Sequence, residues 1–306
     1  MVVIPTPHVT FRVPPPGLPM RLLLSVLATV SLLPAVELPF PGGRIAITHD
    51  GNLHDRDDHG ALAMNLALIT AAGQGDRLVH LDYNNHLGRS SATMAATMRK
   101  IAEDGRSRFA LKAPFFDLTD AAQLERAILN FKTEAERSSA TDPLWFICSG
   151  PMETAWRCID AVDPAKRPFI RAVSHSDWND RHVTTMDKGD ADAGPNAPLR
   201  RTWEDVKALG VKAHRIAFQS KWQDGSDGKN TPDWYWLRDS ANADLQWMWA
   251  SASTLTFRDD KHPVPYYDVS DAGMTYWVLA GADNAKQKVY GVAEAKALLE
   301  GWAARP

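Results

Sequence analysis

The stretch RIAITHDGNLHDRDDHGALAMNLALI, residues 44–69, decides the fold. It opens on an apolar run of strand length, and residues 59–73 are apolar nearly all round, the pattern of a buried helix that follows a buried strand. Between the two lie Asp50, Asp55, Asp57 and Asp58, interleaved with His49, His54 and His59. Carboxylates crowded into one turn repel one another unless water, a cation or a helix N-terminus offsets the charge. A hard cation such as Ca2+ takes about six to eight oxygen ligands, and a strand end followed by a helix start can supply several of them. An acidic helix start in solvent is the competing reading, and the EF-hand spacing is not met.

The same theme recurs along the chain. RLVHLDY reads as a strand ending in Asn84, Asn85 and His86, and PLWFICSG as one ending at Ser149, Gly150 and Pro151. FIRAVSHS ends in Ser174, His175 and Ser176, and HRIAFQ ends at Gln219, while FALKAPFFDL is a weaker extended segment. Helices are predicted from Ser90 or Ser91 through Ala102, over residues 120–137 after Thr119 or Asp120, and over METAWRCIDAV. Further on, TPDWYWLRDSANADLQWMWASAS reads as a Trp-rich helix. Strand and helix alternate, which predicts an α/β fold: a mostly parallel sheet with helices on both faces. Ligands of such sheets sit beyond the carboxyl ends of the strands, so the polar strand ends are expected to converge on one crevice.

Composition narrows the function. The 306 residues suit one large domain, and a net charge of −3 with interspersed signs offers no continuous basic surface, which excludes polymeric nucleic acid as the partner. Cys148 and Cys158 match no zinc or redox spacing and read as buried thiols. Residues 1–19 are Pro-rich, and MRLLLSVLATVSLLPAVE then has the form of a secretory signal peptide starting at Met20, its apolar run too short to span a bilayer. The expected organisation is a leader over residues 1–40 and a single domain over residues 41–306, exported to the periplasm or the exterior, with no membrane contact in the mature form. The 11 Trp residues exceed what the length requires; core filling explains most, and in an exported protein the surplus suits stacking platforms for sugar or base rings.

FICSGPMETAWRCIDA places Gly150-Pro151 at a strand end before a helix, and DVSDAGMTYW places Asp271 before another apolar helical run. With the acidic turn, these motifs resemble the nucleoside hydrolase-like superfamily, the fold of the inosine-uridine-preferring nucleoside hydrolases. In that superfamily an Asp-rich strand–loop–helix, a Gly-Pro-Leu-Thr-Asn turn and a late Asp at a helix start hold one Ca2+. Asp57-Asp58-His59-Gly60-Ala61 matches the paired aspartates, Gly150-Pro151-Met152-Glu153-Thr154 the middle turn, and Asp271 the late aspartate. The departures are local. Asp50 lies further ahead of the pair than is usual and Asp55 intervenes, so either is a candidate base; Ser270 stands where the nucleoside-cleaving branch has a histidine; and SHSDWND replaces a glycine-rich turn. These differences point towards exported, Trp-rich members acting on saccharides. A serine hydrolase is excluded by the absence of Gly-x-Ser-x-Gly.

The resemblance implies a Ca2+-dependent hydrolase of an O- or N-glycosyl bond. The metal ligands would be Asp50, Asp58, Asp271 and the carbonyl of Glu153, and Asp50 or Asp55 would activate the attacking water. Asp57 would bind a sugar hydroxyl, Asn84, Asn85 and His86 would orient others, and His175, Trp178 and Asn179 would contact the leaving group. His175 is also a candidate catalytic residue, with His54, for the general acid. The partner is a small saccharide or nucleoside, and the superfamily's habit of forming dimers or tetramers implies a homo-oligomer. The rival reading is a non-catalytic, calcium-stabilised carbohydrate-binding protein.

Overall fold

The structure, a computed structural model, describes residues 36–51, 56–85, 92–183, 194–223, 229–253, 265–282 and 287–305. Residues 20–35, read above as most of a signal peptide, and His54, Asp55 and His86 lie outside the described residues. Six strands, β1 (Arg44–His49), β2 (Leu78–Tyr83), β3 (Phe115–Asp117), β4 (Leu144–Ser149), β5 (Ile170–Ser174) and β6 (Lys212–Arg215), form one sheet in the order β3-β2-β1-β4-β5-β6. All five neighbouring pairs are parallel, so the α/β class read from the alternation holds. The chain builds outward from β1 to β3, then returns across β1 to lay down β4. That reversal opens a crevice at the carboxyl ends of β1 and β4.

Both faces of the sheet are covered, which is why the central strands β1 and β4 are nearly continuous apolar runs. Ile45 and Ile47 of β1, with Leu81, Trp145, Ile147 and Val173, belong to the larger core under α1 (Arg56–Ala71), α8 (Ala243–Ser253), α9 (Ala272–Leu279) and α10 (Val292–Ala303). Ala46, Phe146, Cys148 and Ala172 face the other way, packing with Phe131 of α3 (Ala121–Glu136) and with Met152 and Ile159 of α4 (Met152–Asp160). Helix α1 packs against α2 (Ala92–Arg108), α8, α9 and α10, which explains its apolar surface on every side. Val36, Leu38 and Phe40, ahead of the expected domain start, pack against the larger core. Both cysteines are free and buried, and burial pushes both thiols up. Among the described residues, no helix is long and apolar enough to cross a membrane.

Three local expectations are corrected. Strand β6 ends at Arg215 rather than continuing through Gln219, because beyond Ile216, which still bonds to Ser174 O at 3.0 Å, the chain leaves the sheet edge. Helix α2 continues to Arg108, past Ala102. The Trp-rich segment is a 3-10 turn (Thr231–Trp234), α7 (Tyr235–Arg238) and α8 rather than one helix. Asn242 makes the second start, its Oδ1 accepting from the N–H groups of Asp244 and Leu245 at 2.9 and 3.1 Å.

Helix α3 begins where the sequence places it. Asp120 Oδ1 accepts from Ala122 N–H and Gln123 N–H at 2.8 and 3.4 Å. Asp120→Ala is expected to lower unfolding stability by about 1 kcal/mol in denaturant titration.

Candidate metal centre

Asp50 follows β1 directly, and its N–H donates to Ser149 O at 2.8 Å, which extends the β1–β4 ladder into the crevice. Asp58 lies in the first turn of α1, and Asp271 immediately precedes α9. One carboxylate oxygen from each of these three residues lies within 4.8 Å of the other two, and all three residues are buried. They are the side-chain ligands the family resemblance implies. Two oxygens bound to one Ca2+ at about 2.3–2.6 Å stand at most about 5 Å apart, so the spacing and the all-oxygen donor set fit a hard cation.

Asp271 is held from two sides. His175 Nδ1 accepts the Gln219 N–H at 3.3 Å, so the ring proton is on Nε2, 2.5 Å from Asp271 Oδ1, to which it donates. Burial, helped by the charge of Arg215, pushes the His175 imidazole down to about 3 and keeps it neutral. From the other side Asp57 Oδ2 accepts the Ser270 hydroxyl at 2.7 Å, and the Asp271 N–H lies 3.3 Å from the same oxygen. Asp57 therefore ties the start of α1 to the segment that carries Asp271. Gly60 permits that approach: a Cβ there would stand 2.5 Å from Asp268 O.

Gln219 serves as a brace. Its Nε2 donates to Ala217 O and Lys288 O at 2.8 and 3.1 Å, and its Oε1 accepts from Tyr290 N–H at 3.0 Å. The expectation that its side chain faces the crevice is corrected, because neighbouring backbone uses it.

On the β2 side the two asparagines diverge. Asn84, at φ 62°, donates through Nδ2 to Asp117 Oδ1 at 3.0 Å and Ala95 O at 3.3 Å. Asn85 donates its backbone N–H to His49 O at 3.0 Å and its Nδ2 to Thr48 Oγ1 at 3.0 Å. A Cβ on Gly150, whose φ is 154°, would lie 2.7 Å from Asn85 Oδ1 and 2.9 Å from Asp50 Cβ. The bare backbone of Gly150 is thus what lets Asn85 and Asp50 share the crevice floor.

Glu153 occupies the first turn of α4, and its carboxylate is taken up by Arg157 Nε at 3.0 Å and by the N–H groups of Arg200 and Arg201 at 2.8 and 3.1 Å. The carboxylate therefore serves the scaffold, and the role the resemblance implies falls to the carbonyl, which lies in the first turn of α4. Trp178 in α5 (Asp177–Arg181) is 42% exposed and stacks on His182 with ring centroids 3.9 Å apart. Asn179 is buried beside it, its N–H bonded to Ser176 Oγ at 3.4 Å. Phe218, 36% exposed with its ring 4.9 Å from that of His175, escapes the sequence reading because it sits in what resembles a core strand.

The chain is 30% identical over 272 residues to the uncharacterized protein P22 of Formosa agariphila, a match covering 86% of this chain and 92% of that protein. It belongs to the same family. No family model matches. Among solved structures, the inosine-uridine preferring nucleoside hydrolase from Bacillus anthracis aligns over 85% of this chain and 99% of its own, at 12% identity and a TM-score of 0.44.

For this member of the family, the close approaches at the two glycines are measurable. Gly60→Ala and Gly150→Ala are each expected to cost about 1–3 kcal/mol in calorimetric unfolding, because backbone or buried side chains must move to admit the methyl group.

Proposed function

We propose that this protein is an exported Ca2+-dependent hydrolase that cleaves the glycosidic bond of a small saccharide, with a nucleoside as the alternative substrate. The observation that carries this reading is the meeting of Asp50, Asp58 and Asp271 at the carboxyl ends of the central strands, within 4.8 Å. Asp50, Asp58, Asp271 and the Glu153 carbonyl would hold Ca2+, which on binding supplies Lewis-acid polarisation of water and fixes the sugar hydroxyls.

The chain's own residues supply the remaining steps. Asp50 or Asp55 accepts the proton of the attacking water. Developing positive charge at the anomeric carbon is stabilised by the carboxylate cluster, as an oxocarbenium-like transition state requires. Asp57 binds Ser270 and the Asp271 N–H, and a carboxylate with about four lone-pair sites retains capacity for a sugar hydroxyl. Asn85, on the crevice floor, orients a further O–H group. His175, with both ring nitrogens engaged, orients Asp271.

Two features favour a saccharide. Ser270 takes the place of the family histidine and spends its hydroxyl on Asp57. Trp178, 42% exposed in the helix that follows β5 and stacked on His182, offers an aromatic surface on which a sugar ring would stack.

Equilibrium dialysis tests the metal: the parent is expected to bind calcium, and Asp58→Ala to lose about 100-fold or more in affinity. An Asp58→Ala variant that binds as tightly as the parent contradicts the site. A screen of nucleosides, aryl glycosides and oligosaccharides is expected to find hydrolysis of a glycoside that chelator abolishes. Activity on nucleosides alone overturns the saccharide preference, and carbohydrate binding without turnover supports the binding-protein reading instead. N-terminal sequencing of secreted protein is expected to begin at about residue 36–41, and an intact Met1 in the cytosol removes export.

A further inference from the structure

A chain of buried polar groups crosses the sheet face beneath α3 and α4. Thr48 and Asp82 are register partners in the parallel β1–β2 pair, and the Thr48 hydroxyl donates to Asp82 Oδ1 at 2.6 Å. Asp82 Oδ2 lies 2.9 Å from His80 Nε2, and His80 Nδ1 lies 2.7 Å from Asn130 Oδ1 on α3. At the other end Asn85 Nδ2 is 3.0 Å from Thr48 Oγ1. Thr48, His80, Asp82 and Asn85 are all buried.

The order of donors around Thr48 follows from its two partners. A carboxylate accepts only, and a hydroxyl has one proton. With that proton given to Asp82, Thr48 Oγ1 meets Asn85 as an acceptor, so the amide must turn its NH2 end towards it. The reverse orientation would set two acceptors against each other among buried groups. Asn85 Oδ1 is thereby turned the other way. It has no hydrogen-bond partner among the described residues; both ends of the amide border the point above Gly150, Oδ1 at 2.7 Å and Nδ2 at 2.9 Å, and that point is 2.9 Å from Asp50 Cβ.

The geometry points to Asp82 and Thr48 as positioning residues that set the hydrogen-bonding polarity of the crevice floor. They fix Asn85 with its amide oxygen facing the carboxylate cluster, as an acceptor for an O–H donor, water or sugar hydroxyl, bound beside Asp50. This rests on the reading of the cluster as a ligand site. Asp82→Asn would let position 82 donate to Thr48, send the hydroxyl proton to Asn85, and reverse the amide. Thr48→Val removes the link at nearly constant shape, and Thr48→Ser keeps it.

The test uses the full chain with 15N-labelled asparagine side chains, the Asn85 signal being assigned by its loss in Asn85→Asp. In the parent and in Thr48→Ser, one Asn85 amide proton is expected to be protected from solvent exchange. In Thr48→Val and Asp82→Asn its exchange is expected to rise about tenfold or more, as for a lost buried hydrogen bond. On whichever glycoside or nucleoside the parent hydrolyses, both variants are expected to lower kcat about tenfold while calcium affinity stays within about threefold, and Thr48→Ser to restore kcat. General damage to the sheet would instead lower thermal stability and calcium affinity together, without rescue by serine, and would overturn the assignment. Unchanged amide exchange in Thr48→Val and Asp82→Asn overturns it directly. The expected exchange pattern in a parent that neither binds calcium nor hydrolyses any of the screened compounds overturns the functional reading instead.

Discussion

Holding three buried carboxylates within 4.8 Å of one another is the constraint around which the crevice is built. Two of them, Asp58 and Asp271, sit at helix starts, where the macrodipole contributes about 0.3–1 kcal/mol each. Removing a carboxylate from water costs several kcal/mol, so the helix ends offset only part of the penalty. In the proposed reading a hard cation supplies the rest. The same need explains the residues that restrain the cluster. His175 grips one oxygen of Asp271, Asp57 grips Ser270 and the Asp271 N–H, and Gln219 secures the loop that orients His175.

Topology makes the meeting possible. The reversal of strand order between β1 and β4 leaves a gap at the carboxyl ends, and Asp50, Gly150 and Asn85 line it from three strands. Glycine does the rest at two points of close approach. Gly60 brings α1 against the segment ahead of α9, and Gly150 lets Asp50 and Asn85 occupy one small volume. Large apolar groups are spent on covering the sheet: Trp145, Trp222, Trp234 and Trp277 are fully buried, and of all the tryptophans only Trp178 is exposed.

Several polar side chains near the strand ends serve the scaffold. Gln219 and the Glu153 carboxylate are occupied by neighbouring backbone N–H or carbonyl groups, and the Asn84 amide nitrogen by Asp117 and Ala95 O. Buried polar groups need partners, and loops that cross a crevice offer many unpaired backbone groups. A polar residue at a strand end is thus as often a fastener for such a loop as a ligand contact, and its chemistry alone does not distinguish the two.

By itself the sequence determined the α/β class, because strands buried on both faces must be largely apolar, and RIAIT and LWFICS are such runs. It also determined that Asp50, Asp58 and Asp271 belong together, through motif order in a family resemblance, and it placed the start of α3, whose cap is local to Asp120. The tertiary structure alone decided the rest. It ended β6 at Arg215, divided the Trp-rich segment, sent most tryptophans to the core, separated Asn85 from Asn84, and turned His175 onto Asp271 across 96 residues of sequence. Each of these outcomes depends on which distant group fills a hydrogen bond or a volume, and no local pattern of residues encodes that.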